Sequence, residues 1–577
     1  MAPPEPPRSE AGRNPLWLYA SAAIVGIAGL IGSRSGAVDY FLSETHCYQS
    51  VRTHDAAGPY VDCFTVSPSG VFSKVFQSEP DSSLAKAAQP GYVIPGLWDG
   101  HGHLVQLGEF LNSVDLFGSS SFDQVRSRVK DYLAENPSSG TKQEWIRGVG
   151  WDQMALGHMP TAADLLEDSA LKDLYIMLDR VDVHCIWVSQ AVLDLLPESL
   201  PDVPGGEIVR EPGMGVFCDN AMDVVTNIYP KPDTKKKQKY VKGAMSKLNE
   251  FGLVGMHDAG VNPGDLKLYR DLAGTEDWSV RVYAMIECGE RNTFCPEKVD
   301  RFVHADGYLS IRSVKLFADG ALGSWGSAML EPYSDRPSDT GSLLINSTEL
   351  IKVASAWAKA GFQVNIHAIG DLANRNAVDA MTAALELVCP EQSLSECQSQ
   401  RRFRIEHAQI IHPDDQRRMY SIGIIPSIQP THATSDMAYA EKRLGKERTK
   451  QEAYRMRSLL DIRPSLGSDF PVEPSDPFQG IYAAVTRKNP HTGRGKDDSP
   501  EGWQTQESLS LDQAIRGFSE GPAFAGFMEG KAGVIKEGAF ADWVVLDKPL
   551  EETDIEDFRS LKVKETWVGG KRVYKRD

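Results

Sequence analysis

The sequence predicts an α/β fold in which a (β/α)8 TIM barrel is inserted between the two halves of a small β-module, behind an N-terminal hydrophobic helix. Short apolar runs alternate with helical stretches along the middle of the chain, and such alternation is typical of a parallel sheet. A chain of 577 residues has room for a barrel of about 250 residues or more, which favours a barrel over an open doubly wound sheet. The C-terminal region changes to turns and short strands, which are expected to pair with strands near the N-terminus.

These observations divide the chain into five segments. They are a polar N-terminal tail at 1–15, a hydrophobic segment at 16–32, the first half of the β-module at 45–94, the barrel at 95–525 and the second half of the β-module at 526–577. No G-x-G-x-x-G motif follows the first strand, which argues against a dinucleotide-binding fold.

The hydrophobic segment at 16–32 carries no charged residue, whereas Arg8 and Arg13 precede it and Arg34 follows it. A helix of this length spans about 25 Å, slightly less than a ~30 Å hydrocarbon core. We therefore expect a single-pass signal anchor that holds the chain in a membrane of the secretory pathway. The N-terminal arginines favour a cytoplasmic N-terminus and a lumenal or extracellular body. The alternative is a signal peptide cleaved after Ala37, which would give a secreted protein.

Net charge and cysteine spacing argue against two classes of protein, nucleic-acid-binding proteins and zinc-finger arrays. The formal net charge of −18 and the pI near 5.3 disfavour nucleic acid as a partner. The eight cysteines include no C-x-x-C pair, so they do not indicate a zinc-finger array. Three pairs close in sequence are candidate disulfides, with reduced thiols as the alternative: Cys47/Cys63, Cys288/Cys295 and Cys389/Cys397.

The β-module is read from turn and strand patterns at both ends of the chain. Residues 60–76 predict short strands separated by Ser/Gly turns, and Val93 and Ile94 end a buried strand. Residues 533–547 predict a turn and a strand, and 563–574 predict a hairpin.

The barrel is read from its apolar runs. Five of them predict strands, at 174–178, 280–285, 314–317, 363–367 and 403–407. Helices are predicted between runs, for example at 349–360 and 373–388.

Two histidines, His101 and His103, stand at the end of the first predicted barrel strand. Residues i and i+2 of a strand share a face, so both imidazoles can point into one cavity. Neutral imidazole is a good ligand for zinc and other divalent transition metals. The pair therefore indicates a metal site, although an H-x-H pair can also face solvent.

A lysine, Lys315, lies inside the apolar run at 314–317. An unpaired ammonium there would cost several kcal/mol, so the side chain must be paired or modified. Two explanations stay open. Lys315 forms an ion pair with Asp319 or Glu406, or it is a carbamate, formed from the neutral amine and carbon dioxide, that bridges two metals.

Further candidate ligands stand at other predicted strand ends. His367 and His407 each end a strand, and Asp469 follows a short apolar run. Because the carboxyl ends of barrel strands converge on one cavity, these side chains can meet the histidine pair. A single histidine of this kind is more often a hydrogen-bonded core residue, but the whole set predicts a metal centre.

These residues stand in motifs that resemble those of the amidohydrolase superfamily and, within it, the YtcJ-like branch that includes N-substituted formamide deformylase. The resemblance covers about residues 55–577. The motifs are 95–103, 314–320, 365–371, 406–408, 467–471, 150–152 with 160–161, 429–430 with His432, and 538–547. The resemblance implies a metal-dependent (β/α)8 barrel in a composite β-sandwich that hydrolyses a C–N bond, usually an amide.

The resemblance also implies roles for the site residues. One or two divalent metal ions, with zinc expected, would be held by His101, His103, Lys315, His367, His407 and Asp469. His101, His103 and Asp469 would bind the more buried metal, and His367 and His407 a second one. Lys315, as N6-carboxylysine, would bridge them. Asp469 would be the catalytic residue, taking a proton from the attacking water and passing it to the leaving nitrogen.

The remaining expectations concern substrate and partners. His184, Trp151 and His432 are candidate substrate-binding residues, with ordinary core or hydrogen-bonded positions as the alternative. The expected substrate is a small amide-type molecule, and a homodimer is left open. Two alternatives remain for the function: an ester or lactone hydrolase that uses the same site, and a membrane-tethered, catalytically inactive barrel that binds protein partners.

Overall fold

The computed structural model describes residues 42–577. Its centre is a nearly closed barrel of parallel strands, as the sequence predicts. The first to eighth barrel strands, in chain order, are Leu97–Gly102, Leu253–Val261, Arg281–Ile286, Leu309–Phe317, Gln363–Ala368, Arg404–His407, Ile425–Ile428 and Ser465–Leu466. A short strand, Phe302–Val303, pairs antiparallel with the beginning of the fourth barrel strand.

The barrel closes between its eighth and first strands through backbone contacts at the carboxyl end. The amide of Asp469 donates to the carbonyl of His101 at 2.7 Å, and the amide of His103 donates to the carbonyl of Phe470 at 2.8 Å. The closure therefore places Asp469 directly beside the histidine pair.

Helices surround the barrel and pack on it through one apolar face. The helix Asp371–Val388 buries alanines and Met381 at helical spacing, on the face turned to the barrel. The helix Ser347–Lys359 begins after Asn346, whose side chain accepts from the Glu349 amide at 3.0 Å. The α-helices of seven or more residues in the described part are Leu104–Phe110, Phe122–Glu135, Thr234–Glu250, Leu266–Leu272, Ser347–Lys359, Asp371–Val388, Leu394–Arg401, Pro413–Ile422, Pro430–Asp436, Lys446–Glu452, Pro477–Thr486 and Leu511–Gly517.

A second sheet, which we call the inserted sheet, interrupts the barrel between its first and second strands. Its strands are Val114–Asp115, Ile146–Trp151, Ile176–Arg180, Cys185–Val188, Gly206–Val209 and Val216–Asp219. The apolar run at 174–178, predicted as a barrel strand, belongs to this sheet instead. The prediction is wrong because an apolar strand has the same pattern whichever sheet it joins, whereas the runs at 280–285, 314–317, 363–367 and 403–407 do lie in barrel strands.

A seven-stranded sheet joins the two ends of the described chain. Its strands are Glu44–Arg52, Tyr60–Val66, Phe72–Phe76, Gln89–Pro95, Trp543–Leu546, Glu565–Val568 and Lys571–Lys575. The N-terminal and C-terminal parts meet where Val544 pairs antiparallel with Ile94. The barrel is thus inserted into a sheet built from both chain ends.

All eight cysteines form disulfides. The three predicted pairs, Cys47–Cys63, Cys288–Cys295 and Cys389–Cys397, are present. The fourth, Cys185–Cys218, joins two neighbouring strands of the inserted sheet. Its residues are 33 positions apart, so sequence proximity could not indicate it.

The predicted tail at 1–15 and hydrophobic helix at 16–32 lie outside the described residues. Within residues 42–577, no helix is both long and apolar enough to cross a bilayer. We correct the prediction on this point: no helix of the described structure supports a single-pass membrane localisation, and we withdraw it.

Candidate metal centre

The candidate ligands meet at the carboxyl end of the barrel. His101 ends the first strand, Lys315 lies near the end of the fourth, His367 and His407 lie at the ends of the fifth and sixth, and Asp469 follows the eighth. All five side chains line one cavity or are buried directly beneath it. The barrel thus brings together residues that are up to several hundred positions apart in sequence.

His101, His103 and Asp469 form the first compact group. One ligand atom from each lies within 4.8 Å of the others, close enough to hold a metal ion. Oδ1 of Asp469 is 3.4 Å from Nε2 of His101 and 3.2 Å from Nε2 of His103. This is the group that the sequence predicts for the more buried metal.

A second compact group also uses Asp469, together with His407 and His432. Nε2 of His432 lies 3.6 Å from Oδ2 of Asp469. The two imidazole rings stack, with centroids 5.7 Å apart. His432, considered from sequence only as a substrate contact, therefore also meets the geometric requirement for a ligand.

His367 lies beside the second group rather than inside it. Its ring centroid is 4.5 Å from that of His407. Both ring nitrogens are buried and have no hydrogen-bond partner among the described residues, although Nδ1 lies 3.3 Å from Oδ1 of Asp319. Burial, with the nearby Lys315, holds the pKa of His367 well below its usual range, so the ring is neutral and able to bind a metal.

Lys315 is buried among these ligands. Its Nζ lies 3.3 Å from Nε2 of His101 and 3.4 Å from the carbonyl of Ala259. No carboxylate of the described chain lies within 4.0 Å of the amine, so the ion pair with Asp319 or Glu406 is not formed. Burial lowers the pKa of Lys315, which favours the neutral amine.

The two carboxylates considered as partners for Lys315 have other contacts. The Asp319 side chain accepts from the backbone amides of Ala328, Ile369 and Gly370 at 2.8–3.0 Å. It therefore holds the loop after the fourth barrel strand against the loop after the fifth. Glu406 contacts His101 instead.

Glu406, which the sequence indicates only as a possible ion-pair partner of Lys315, supports the metal centre through His101. Its Oε2 accepts a hydrogen bond of 2.5 Å from Nδ1 of His101, and the buried guanidinium of Arg404 lies 2.9 Å from Oε1. A carboxylate behind a histidine orients the ring and fixes its tautomer, leaving the other nitrogen free for a metal. The position of Glu406, directly before His407, was the only signal of this role in the sequence.

Asp99, within the first barrel strand, supports the site. It accepts from the amide and the hydroxyl of Ser468, at 3.1 and 2.7 Å, and from the amide of His101 at 2.9 Å. Asp99 therefore joins the segments that carry His101 and Asp469. Burial raises the pKa of Asp99 to about 7.

The protonation states suit a metal site. Burial alone would raise the pKa of the Asp469 carboxyl, but the imidazoles of His101, His103 and His407 hold it well below its usual range. Burial lowers the pKa of His101 to about 4. The lowered pKa values of His101, His367 and His407 favour neutral rings beside the ionised Asp469, and these are the forms that bind divalent metals.

The inserted sheet contributes His184 to the same cavity. Its Nδ1 donates to Oδ1 of Asp219 at 2.9 Å, and its ring centroid is 5.8 Å from that of His367. Burial lowers the pKa of His184 and the hydrogen bond to Asp219 raises it, with a net upward direction. Asp219 packs so closely against Gly320 and Gly326 that neither position has room for a Cβ.

Trp151 does not reach the cavity, so its predicted role as a substrate contact is corrected. The side chain is fully buried in the core of the inserted sheet. Its Nε1 donates to the carbonyl of Leu178 at 2.9 Å, and the ring packs near Trp187. As part of a strand that faces its own sheet's core, the residue cannot point to the barrel.

The site opens into a cleft between the barrel mouth and the inserted sheet. The main cavity has a volume of about 460 Å³ and is lined by His103, His184, Lys315 and Asp469 among others. A side cavity of about 190 Å³ adjoins it at His432 and Glu473. These volumes suit a small molecule.

The donor set fits a divalent metal. Buried imidazole nitrogens normally have hydrogen-bond partners, yet both nitrogens of His367, Nδ1 of His407 and Nε2 of His432 have none within residues 42–577. Their clustering around an ionised carboxylate is the arrangement that a metal ion satisfies. The fold and site thus define a barrel protein with a candidate metal centre at its mouth.

Comparison with known proteins identifies the family. The Amidohydrolase family model matches residues 87–574, and the chain belongs to this family. The resemblance to the YtcJ-like branch is confirmed, and family membership supports hydrolase activity.

Individual relatives agree over nearly the whole length. The chain is 28% identical to YtcJ of Bacillus subtilis (strain 168) over 537 residues, which cover 90% of this chain and 96% of YtcJ. It is 25% identical to N-substituted formamide deformylase of Arthrobacter pascens, over 91% of this chain and 97% of that protein. An uncharacterized metal-dependent hydrolase from Pyrococcus horikoshii OT3 superposes with a TM-score of 0.69 and 25% identity, covering 89% of this chain and 99% of that one.

Proposed function

We propose that this protein is a metal-dependent hydrolase that cleaves the C–N bond of a small amide-type molecule. The observation that carries the proposal is the set of buried, unpartnered imidazoles around Asp469 at the mouth of the barrel. A barrel that served only to bind partners would have no need of such a set, because unsatisfied buried polar groups are costly.

The ligands follow from position and contacts. His101, His103 and Asp469 would hold one divalent ion, and His367 and His407 a second. Imidazole nitrogen with carboxylate oxygen is the donor set that zinc prefers. Lys315 would bridge the two ions as N6-carboxylysine, since its amine is buried beside His101 and no carboxylate of the described residues lies within ion-pair distance.

Bound divalent metals would supply a water of lowered pKa, near 7, and would polarise the substrate carbonyl. The chain's own part is proton transfer and orientation. Asp469, whose Oδ2 faces Nε2 of His432 at 3.6 Å, is placed to take a proton from the attacking water. It can then deliver that proton to the leaving nitrogen, which must be protonated for the C–N bond to break.

His184 is placed to orient the substrate. The hydrogen bond from its Nδ1 to Asp219 fixes the orientation of the ring. The position of Nε2 is therefore fixed as well. With the pKa of His184 raised, the ring favours a form that donates from both nitrogens. We propose that His184 donates a hydrogen bond to the substrate carbonyl from the side opposite the barrel floor.

The amide preference rests on the family and on one relative, which is named an N-substituted formamide deformylase. The cavity of about 460 Å³ has room for a small molecule. The same activated water could attack an ester, so the experiment must compare amide and ester directly.

The test uses the full chain, loaded with zinc, and measures release of aniline from formanilide and acetanilide and of phenol from phenyl acetate. We expect aniline release that stops on chelation, returns on adding metal, and falls at least about a thousandfold in Asp469→Asn. If the protein hydrolyses phenyl acetate but neither anilide, it is an ester hydrolase. A metal-loaded protein inactive on all three would overturn the proposal for these substrate classes.

A further inference from the structure

A second large cavity lies at the opposite end of the barrel from the metal centre. Its volume is about 550 Å³, and it shares no lining residue with either cavity at the barrel mouth. It is bounded by the start of the eighth barrel strand at Pro464 and Leu466, by the helix Leu511–Gly517, and by the segment around Val534. The proposed reaction uses no part of it.

The walls of this cavity, which we call the basal cavity, carry cations without partners. Arg463 and Lys536 line it, and neither forms an ion pair within the described part of the chain. Arg463 lies over the ring of Phe524, with the guanidinium 4.7 Å from the ring centroid. Its guanidinium therefore lies against the ring, and its N–H groups have no acceptor within residues 42–577.

Among the other charged residues that line the basal cavity, Arg516, Glu520 and Glu529 are paired, whereas the Asp55 carboxylate accepts, within the described residues, only from the amide of Ala57. Arg516 pairs with Glu520 at 2.7 Å and with Asp512 at 3.0 Å. Glu529 pairs with Arg402. The unpaired charges of the lining are therefore two cations, Arg463 and Lys536, and one carboxylate, Asp55, which leaves a surplus of one positive charge.

Apolar side chains form part of the lining of the basal cavity, and its one histidine is neutral. Leu460, Leu466, Leu509 and Val534 contribute side chains to the lining. Burial, with Arg52 and Arg516, lowers the pKa of His54 to about 3, so the ring adds no charge. Apolar side chains and two unpaired cations in one cavity complement a molecule with an apolar body and one anionic end.

We propose that the basal cavity binds a small organic carboxylate, with its anionic end between Arg463 and Lys536 and its apolar body against Leu460, Leu466 and Leu509. The site is separate from the proposed substrate site, and the proposal does not depend on the reaction. Charge-assisted hydrogen bonds from the two cations would supply the specificity for an anion.

The test is a calorimetric titration of the full chain with octanoate, with octanol as the uncharged analogue. We expect saturable octanoate binding that exceeds octanol binding and weakens roughly tenfold or more in the double variant Arg463→Gln/Lys536→Gln. Lys531→Gln is the matched control, because Lys531 is exposed on the same segment as Lys536 but does not line the cavity. Circular dichroism of each variant checks the fold.

Octanoate could also bind a metal at the barrel mouth, so the titration is repeated after chelation. Binding that survives chelation and is lost in the double variant supports the basal site. Binding that disappears on chelation, is equal in the double variant and in Lys531→Gln, or is equal for octanol and octanoate overturns the proposal. A crystal soaked with octanoate that shows density only at the metal centre would do the same.

Discussion

Nδ1 of His101 donates a hydrogen bond of 2.5 Å to Oε2 of Glu406, and both side chains are completely buried. An ionised carboxylate can only accept, so the proton lies on Nδ1 and the lone pair of Nε2 faces Lys315 and Asp469. Glu406 therefore sets the tautomer that a metal ligand needs.

Removing that negative charge should weaken metal binding. We expect Glu406→Gln to lower zinc affinity by about 10- to 100-fold, measured by competition with a chromogenic chelator. Because the change also removes the charged partner of the buried Arg404, folding is checked by urea unfolding. Glu386→Gln, on an exposed face of Asp371–Val388, is the control. Unchanged zinc affinity in folded Glu406→Gln would refute the orienting role.

His367 and His432 should have different roles, although both lie near His407. We expect His367→Asn to lose about one metal ion per chain, because it would supply a ligand. His432→Asn should keep the metal content and lower turnover, since His432 faces Oδ2 of Asp469. Elemental analysis of both variants measures the metal content. Loss of metal from His432→Asn alone would show that His432, and not His367, is the metal ligand.

Asp219 is expected to act through His184. Asp219→Asn keeps the size of the side chain in the tight contact with Gly320 and Gly326 but removes the charge that favours a protonated His184. We expect kcat/KM to fall roughly tenfold or more, with the metal content unchanged. The pH profile should also shift. Activity requires protonated His184 and is lost as the pH rises, and in Asp219→Asn this loss should begin at a lower pH than in the unaltered protein. Asp223→Asn, an exposed neighbour, should have no effect, and a wild-type profile for Asp219→Asn would exclude the role.

His54 gives a pH dependence of stability that is independent of any metal. Its pKa is about 3 in the folded chain against an ordinary 6.5. As the pH falls below 6.5 the unfolded chain binds a proton that the folded chain does not, so acid destabilises the fold. Between about pH 8 and about pH 5, the wild-type chain should lose about 2 kcal/mol more unfolding free energy than His54→Asn. Urea unfolding at both pH values measures this, and parallel losses would contradict the account.

Much of the barrel was predictable because its strands are apolar runs that end in polar residues. The strands that end at His367 and His407 have this pattern, and the structure places both as the sequence predicts. The sequence could not distinguish strands of the inserted sheet from barrel strands. The run at 174–178 is as apolar as the barrel runs, and only the strands with which it pairs differ.

The candidate site was predictable in its ligand types but not in its supporting contacts. Asp469 and the His101–His103 pair carry a recognisable motif, whereas the hydrogen bond from His101 to Glu406 joins residues 305 positions apart. Trp151 failed as a substrate contact because the side of a strand that faces a cavity depends on which sheet the strand joins. His432 has a position that chain order could not reveal, next to Oδ2 of Asp469.

The most direct test is the metal content of the purified full chain, measured by elemental analysis in bicarbonate beside Lys315→Ala and the double variant His101→Asn/His103→Asn. The account predicts about two metal ions per chain, fewer in Lys315→Ala and fewest in the double variant. A wild-type chain that binds no metal after reconstitution with zinc and manganese would contradict it.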